Sequence, residues 1–233
     1  MADRLATAVY VDGYNLYYGR IRGTGFKWLD LPRLFDGVLA NQGPESVLVG
    51  LRYFSAPAMG RFATHGEASV LAQQDYHRAL QHVHAERFSL TLGTHSIDRS
   101  GTKLPRYVEG RPYDRNDRVK VWKLEEKQTD VNLALRMYRD ACSARFHQLV
   151  VCSNDSDAAP ALAAIRGDFP GIVLGVVIPS RPPDACGRRP ASSVLSVRAD
   201  WTRHYLRDEE LAAAQLPERV HTGRKPIRRP EHW

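Results

Sequence analysis

The sequence lacks any long run of uncharged apolar residues. Its longest such stretch, residues 171–178, is far shorter than the roughly 18–20 residues that a membrane-spanning helix requires. The first seven residues include Asp3 and Arg4 and contain no apolar core, which is unlike a signal peptide. These two absences predict a soluble, cytoplasmic protein with no membrane partner.

Cysteine is scarce. The chain has three cysteines, Cys142, Cys152 and Cys186, at wide spacings. No C-x-x-C pair is present, which excludes a zinc-ribbon type of site, and an odd number of cysteines does not fit a disulfide framework. We expect free or buried thiols, as in proteins of a reducing compartment.

The chain also lacks internal repeats and low-complexity tracts, which excludes collagen-like, coiled-coil and wholly disordered proteins. Hydrophobic residues make up 43% of the sequence and charged residues 25%, as is usual for a globular protein. A length of 233 residues fits one large domain. We expect that domain over residues 1–207, with a basic insert at about 98–120, followed by a basic helix and tail at 208–233.

Positive charge is in excess, with a net charge of +7 and a pI of about 9.5. Lys and Arg are concentrated in residues 99–127 and 217–233, and both stretches contain the Pro, Gly and aromatic residues typical of loops or arms. This charge distribution is typical of proteins that bind a polyanion, most often a nucleic acid.

Strand and helix patterns alternate along the chain. The strands that follow one another are nearly continuous apolar runs, which predicts an α/β domain with a mainly parallel central sheet flanked by helices. The predicted strands are 7–11, 46–55, 87–93, 147–152 and 172–178, with an edge strand at 118–124. The predicted helices are 15–22, one beginning after Asp30, 66–84, 129–142, 156–166 and 208–215.

Four aspartates stand where this topology places ligand sites. Asp12 ends the first strand, Asp155 and Asp157 follow strand 147–152, and Asp130 opens a helix. Each has a simpler interpretation as a turn residue or a helix cap. If they converge, their mutual repulsion requires a cation, and a cluster of carboxylates without His or Cys favours Mg²⁺ or Mn²⁺.

Three segments carry a resemblance to a known family. VYVDGYNLYYG, EEKQTDVNLAL and VVCSNDSDAAPAL occur in the order of the motifs of the NYN domain, a PIN-like nuclease fold. The segments RGTGFKWLDL and AAAQLPE, and the final IRRPEHW, resemble a bacterial branch of that family, so the resemblance covers nearly the whole chain.

The resemblance implies a metal-dependent endoribonuclease that hydrolyses RNA, preferably single-stranded, with one or two Mg²⁺ or Mn²⁺ ions. It makes Asp12, Asp130, Asp155 and Asp157 the metal ligands and catalytic residues, together with Asn15. We expect the following residues to bind the substrate: Ser153, Asn154, Lys123, Lys127, Arg115 and Arg118.

Two alternatives stay open beside the ribonuclease. One is a small-molecule monooxygenase that hydroxylates a succinoyl-pyridine in nicotine breakdown, an activity associated with some chains of the same branch. The other is a non-catalytic RNA-binding module, and either protein could form a homodimer. We interpret Tyr14, Tyr17 and Tyr18 as core residues or base-stacking residues, and the histidines around His77 as packing or surface residues.

Overall fold

The structure is a computed structural model that describes residues 4–183, 190–223 and 225–233. Cys186 and Arg224, which the sequence analysis considered, lie outside the described residues. Cys142 is an exposed free thiol and Cys152 is a buried one. Among the described residues, no helix is both long and apolar enough to cross a membrane.

A six-stranded parallel sheet forms the centre of the molecule, with the strand order β10-β9-β8-β1-β2-β3. Apolar residues along both faces of its inner strands explain why helices cover each side. The predicted α/β fold with a mainly parallel central sheet is confirmed. The strands of the sheet are β1 (Leu5–Asp12), β2 (Ser46–Ser55), β3 (Phe88–Leu92), β8 (Gln148–Cys152), β9 (Val173–Val177) and β10 (Trp201–Arg203).

Alternate residues of β1 divide the core into two clusters, one on each face of the sheet. The helices are α1 (Gly13–Leu16), α2 (Leu31–Gln42), α3 (Glu67–Val83), α4 (Thr129–Cys142), α5 (Ala159–Asp168), α6 (Ser193–Ser196) and α7 (Asp208–Ala213). Val9 and Val11 pack with residues of α2, α3 and the C-terminal segment, whereas Ala8 and Tyr10 pack with residues of α4 and α5.

The helix predicted at 15–22 differs from the observed one. The α-helical part, α1, is only four residues long and continues as a π-helical segment over Tyr17–Ile21. The backbone N–H of Arg22 donates to the carbonyl of Tyr17 at 2.7 Å. At Gly19 the backbone passes so close to Pro179 that an added Cβ would lie 2.2 Å from its carbonyl oxygen, so only glycine fits there.

The basic insert is a two-stranded antiparallel arm rather than an edge of the central sheet. Strand β4 (Thr94–Ile97) pairs with β7 (Leu124–Lys127), and β5 (Thr102–Pro105) pairs with β6 (Arg118–Val121). The edge strand predicted at 118–124 is therefore divided between β6 and β7. Its residues are largely exposed, so the alternation of apolar and charged residues has no buried face behind it.

The C-terminal segment packs against the body of the protein. After α7, a short hairpin pairs β11 (Arg219–Val220) with β12 (Ile227–Arg228). Val220 and Ile227 are buried in the core cluster that contains α2 and α3. The indole N–H of Trp28 also donates to the backbone carbonyl of Pro217 at 2.8 Å. Part of this basic tail is thus a component of the core.

A buried polar network fastens α4 to the sheet. The Tyr10 hydroxyl donates to Asp140 Oδ2 at 2.9 Å, and Arg136 Nε donates to Asp140 Oδ1 at 3.0 Å. Arg52 Nε lies 3.5 Å from Asp140 Oδ2. The single carboxylate of Asp140 therefore joins β1, β2 and α4.

We expect Asp140→Ala to lower the free energy of unfolding by about 2–4 kcal/mol, because it leaves the buried Tyr10 hydroxyl and a cation without their partner. The matched control is Asp168→Ala, which removes an exposed carboxylate that accepts a hydrogen bond from Tyr138 and should cost less than about 1 kcal/mol. Urea denaturation measures both, and equal effects would contradict this role for Asp140.

Candidate active site

The carboxyl ends of β1 and β8 lie side by side in the middle of the sheet. Val11 of β1 is in register with Cys152 of β8, so Asp12 and Ser153 are neighbours at the same edge. In open parallel sheets, ligands bind at this edge. The structure therefore places two of the predicted site residues where a ligand is expected.

The Asp12 side chain accepts three hydrogen bonds at this edge and is only 2% exposed. Oδ1 accepts from the backbone N–H of Asn15 at 2.9 Å, which caps α1. Oδ2 accepts from Asn15 Nδ2 at 2.7 Å and from Ser153 Oγ at 2.9 Å. Burial raises the pKa of Asp12, and the hydrogen bonds from Asn15 and Ser153 oppose that rise. Asp12 thus fixes the start of α1 against the loop after β8.

Asp130 lies half-buried in the first turn of α4, within electrostatic range of the other predicted acids. Its pKa is raised to about 6, first by burial and then by the negative charges of Asp12, Asp155, Glu126 and Asp157. The four aspartates selected from the sequence therefore share one electrostatic environment. At neutral pH this part of the edge is strongly negative.

In the loop after β8, the side chains of Ser153 and Asp155 accept hydrogen bonds from backbone N–H groups of the same loop. Ser153 Oγ accepts from the backbone N–H of Asp155 at 3.0 Å, and Asp155 Oδ1 accepts from the backbone N–H of Asp157 at 3.1 Å. Asp155 thereby caps the short 3₁₀ helix Ser156–Ala158. Across residues 4–183, 190–223 and 225–233, no group of three or more His, Cys, Asp or Glu side chains is arranged to hold one metal ion.

The side-chain amide of Asn154, a predicted substrate-binding residue, makes hydrogen bonds within the protein. Its Oδ1 accepts from the backbone N–H of Ser192 at 2.7 Å, and its Nδ2 donates to the carbonyl of Pro190 at 2.9 Å. The backbone N–H of Asn154 donates to Asn15 Oδ1 at 3.3 Å. The side chain therefore ties the loop after β8 to the segment that precedes α6.

The predicted basic residues lie on the arm. Lys123 and Lys127 both form ion pairs with Glu125, the latter at 3.0 Å. Arg118 donates to a backbone carbonyl on the facing strand β5 at 2.9 Å, and Arg115 is exposed in the connection between β5 and β6. The lysine charges are thus partly neutralised on the arm itself.

An aromatic cleft of about 800 Å³ opens beside the acidic edge. It is bounded by α1 and the π-helical segment, the end of β2, α3, the base of the arm and the final residues of the chain. Gly13 and Glu126 belong both to its wall and to the neighbourhood of the acids. The main aromatic side chains in the wall are Tyr14, Tyr17, Tyr18, Tyr53, Tyr76 and Trp233.

His77 is a buried polar residue in the wall of this cleft. It lies on α3 and is 6% exposed, and its Nε2 has no hydrogen-bond partner among the described residues. Its ring centroid lies 5.7 Å from that of Tyr53 and 6.0 Å from that of Tyr76. Burial lowers the pKa of His77 to about 4, so the imidazole is neutral at pH 7. An unpaired buried nitrogen in a cleft wall is a group that a polar ligand atom can satisfy.

The arm completes one wall of the cleft through His95 on β4. His95 Nε2 lies 3.0 Å from the Tyr14 hydroxyl and 3.0 Å from the carbonyl oxygen of Pro57. Burial, followed by the nearby Tyr18 and Glu126, raises the pKa of Tyr14 to about 12, so its hydroxyl stays protonated at neutral pH. The cleft thus has a neutral phenol and an imidazole beside the acidic edge.

Sequence reasoning missed the cleft. The sequence favoured a packing or surface role for His77, and its seven-residue spacing from His84 gave no sign of a ligand role. The only local signal was the Tyr14, Tyr17 and Tyr18 cluster, which we interpreted as core or base-stacking. Tyr17 and Tyr18 are instead partly exposed at the wall of the cleft.

The raised pKa of Asp130 predicts a pH dependence of stability. The folded protein holds this proton more tightly than the unfolded chain, so this stabilisation is present below about pH 4 and is lost as the pH rises towards 6. Asp130→Asn removes the titration. We expect the variant to be more stable than the parent above pH 6, by on the order of 1 kcal/mol for a half-exposed group, with the difference vanishing near pH 4.

Thermal denaturation of both proteins between pH 4 and 8 measures this difference. Asp114→Asn, at an exposed aspartate on the arm, is the matched control and should show no trend over that range. A difference between parent and Asp130→Asn that stays constant with pH would show that Asp130 does not feel the neighbouring acids.

Structural comparison supports the fold alone. A protein of unknown function from Vibrio parahaemolyticus RIMD 2210633 aligns over 93% of this chain and 99% of its own, with a TM-score of 0.50 and 16% sequence identity. No family model matches the chain. The similarity supports the α/β architecture and gives no information on activity.

Sequence comparison identifies an enzyme relative. The 6-hydroxy-3-succinoylpyridine 3-monooxygenase HspA of Pseudomonas putida is 37% identical over 246 residues, covering 100% of this chain and 76% of the relative. This relative is a monooxygenase, so the prediction of a ribonuclease, a metal-binding hydrolase of RNA phosphodiesters, is wrong. The resemblance had correctly included the pyridine monooxygenase as an alternative. The chain belongs to the enzyme family of the 6-hydroxy-3-succinoylpyridine 3-monooxygenase HspA.

Proposed function

We propose that this protein is a monooxygenase that hydroxylates a hydroxypyridine carrying a succinoyl chain, and that the aromatic cleft is its substrate site. The observation that carries the proposal is the 37% identity to a monooxygenase with that substrate, along the whole of this chain. The cleft supports it because it adjoins the carboxyl edge of the sheet, where open α/β proteins bind ligands.

The cleft wall suits a flat heteroaromatic ring. The rings of Tyr53 and Tyr76 both line the cleft and both contact the ring of His77, and aromatic rings pair favourably in tilted and edge-on arrangements. A volume of about 800 Å³ lies within the usual range for small-molecule sites. The site therefore favours a small aromatic substrate rather than an extended polymer.

His77 supplies the buried polar contact that such a ring needs. Because its imidazole is neutral at pH 7, Nε2 can accept a hydrogen bond from a ring hydroxyl or ring N–H, or donate one to a ring oxygen, according to its tautomer. A hydroxypyridine offers both kinds of atom. Pairing with the ligand satisfies a nitrogen that otherwise lacks a partner, which favours this orientation of the ring over others.

A monooxygenase inserts one atom of O₂ into its substrate and reduces the other to water with two electrons from a reductant. In such enzymes the redox chemistry comes from the cofactor or co-substrate, and the protein contributes binding, orientation and electrostatics. In the proposed function, residues of the aromatic cleft bind and orient the substrate. The neutral phenol of Tyr14 and the aromatic walls shield the ring from water, and His77 holds its polar edge.

The predictions that rest on the NYN resemblance alone stay predictions. They include the family assignment itself, RNA as a partner, a homodimer, and Mg²⁺ or Mn²⁺ as cofactors. None of them is required by the proposed reaction.

The proposal is tested by measuring substrate-dependent consumption of reductant. With 6-hydroxy-3-succinoylpyridine, NADH and air, with and without added flavin, we expect NADH oxidation and O₂ uptake in equal amounts, together with a hydroxylated product. Neither should be stimulated when the pyridine is omitted. NADH and O₂ consumption that does not depend on the pyridine, or none at all under either condition, would contradict the proposal.

His77 gives a second test that separates function from folding. His77→Leu removes an unpaired buried imidazole, so we expect the free energy of unfolding to stay the same or to rise by up to about 1 kcal/mol. We expect kcat/KM for the pyridine to fall by about tenfold to a hundredfold, the value of a lost buried hydrogen bond. His82→Leu, at an exposed position of the same helix, is the control. Unchanged kinetics in His77→Leu would remove His77 from the site.

A further inference from the structure

One end of the aromatic cleft gathers groups that can carry positive charge. Lys27 Nζ donates to the backbone carbonyl of His232 at 3.4 Å, and the rings of His65 and His232 lie 4.4 Å apart. All three residues line the cleft, as does Arg22, whose guanidinium lies 5.5 Å from the centroid of the Tyr18 ring. We call Lys27, His65 and His232 the cationic corner.

Among residues 4–183, 190–223 and 225–233, no carboxylate side chain forms an ion pair with Lys27 or with Arg22. By contrast, Arg20, Arg52 and Arg203 each pair with a carboxylate. His232 Nε2 is buried and without a hydrogen-bond partner among the described residues. Burial, followed by the neighbouring His65 and Lys27, lowers the pKa of His232.

An aromatic wall joins the cationic corner to His77. The ring of His77 lies 6.0 Å from that of Tyr76, and Tyr76 lies 5.6 Å from Trp233, which follows His232 in the chain. A series of ring contacts in the cleft wall thus runs from the buried neutral imidazole of His77 through Tyr76 to Trp233, next to the cationic corner. This order matches a polar aromatic ring that bears a short chain ending in an anion.

We propose that the cationic corner is the subsite for the carboxylate of an oxo-acid chain attached to the aromatic ring of the ligand, with Lys27 as its main charge. The inference rests on the proposed function, because the succinoyl chain of that substrate supplies the carboxylate. A lysine ammonium paired with a carboxylate in a partly buried cleft is a strong charge-assisted contact. Lys27 then selects acids over neutral analogues of the same shape.

The test compares the affinity of an acid with that of its neutral analogue. The probes are 4-oxo-4-(pyridin-3-yl)butanoate, its carboxamide and succinate, measured by isothermal titration calorimetry with the full chain. We expect the parent protein to bind the pyridyl acid at least about tenfold more tightly than the carboxamide, as a charge-assisted hydrogen bond implies. Succinate should bind more weakly than the pyridyl acid, because it lacks the ring.

Variants of Lys27 assign the discrimination to that residue. Lys27→Gln should reduce the ratio between acid and carboxamide to about one while leaving carboxamide affinity unchanged, and Lys27→Arg should restore most of the ratio. Lys103→Gln, at an exposed lysine of β5 that does not line the cleft, is the matched control and should behave like the parent.

The outcomes separate this inference from the proposed function. Equal binding of acid and carboxamide by the parent, binding of neither, or full discrimination in Lys27→Gln would overturn the cationic corner. Discrimination that depends on Lys27, in a protein that does not oxidise NADH with the hydroxypyridine, would support the subsite and contradict the monooxygenase. Succinate binding as tightly as the pyridyl acid would overturn the placement of the ring in the same cleft.

Discussion

The buried carboxylate of Asp12 is the contact on which the carboxyl edge of the sheet depends. It ends the central strand β1, caps α1 through Asn15 and accepts a hydrogen bond from Ser153 after β8. Because α1 begins there, the π-helical segment that follows it is placed as one wall of the aromatic cleft. Asp12, one of the residues that the resemblance assigned to catalysis, thus fixes the position of α1 relative to the loop after β8.

The acidic edge and the aromatic cleft are adjacent but chemically different. Burial, followed by the negative charges of Asp12 and Asp155, raises the pKa of Asp130, whereas the cleft holds tyrosine and histidine side chains and the cationic corner. The proposed substrate carries a carboxylate, which the acids would repel. In the proposed binding mode, the anionic chain is therefore directed away from the acidic edge and towards Lys27.

Much of the fold could be predicted from local sequence patterns, whereas most of the candidate site could not. The apolar runs of β1, β2, β8 and β9 and the start of α2 after its capping residue Asp30 could be predicted because their signals lie within single segments. The cleft is built from residues 13–29, 53–77, the base of the arm and the last residues of the chain, which only tertiary packing brings together. No local pattern shows that the Asn154 amide forms hydrogen bonds with a distant loop. The same is true of the ion pairs that Glu125 forms with two lysines.

The most direct test of the proposed monooxygenase activity traces the source of the oxygen atom in the product. The protein is incubated with 6-hydroxy-3-succinoylpyridine and NADH under ¹⁸O₂ in ordinary water, and the pyridine product is analysed by mass spectrometry. A monooxygenase acting in the aromatic cleft incorporates one ¹⁸O atom into the product, and His77→Leu forms that product more slowly. A hydroxylated product that carries only ¹⁶O from water, or no product at all, would contradict the proposed monooxygenase activity.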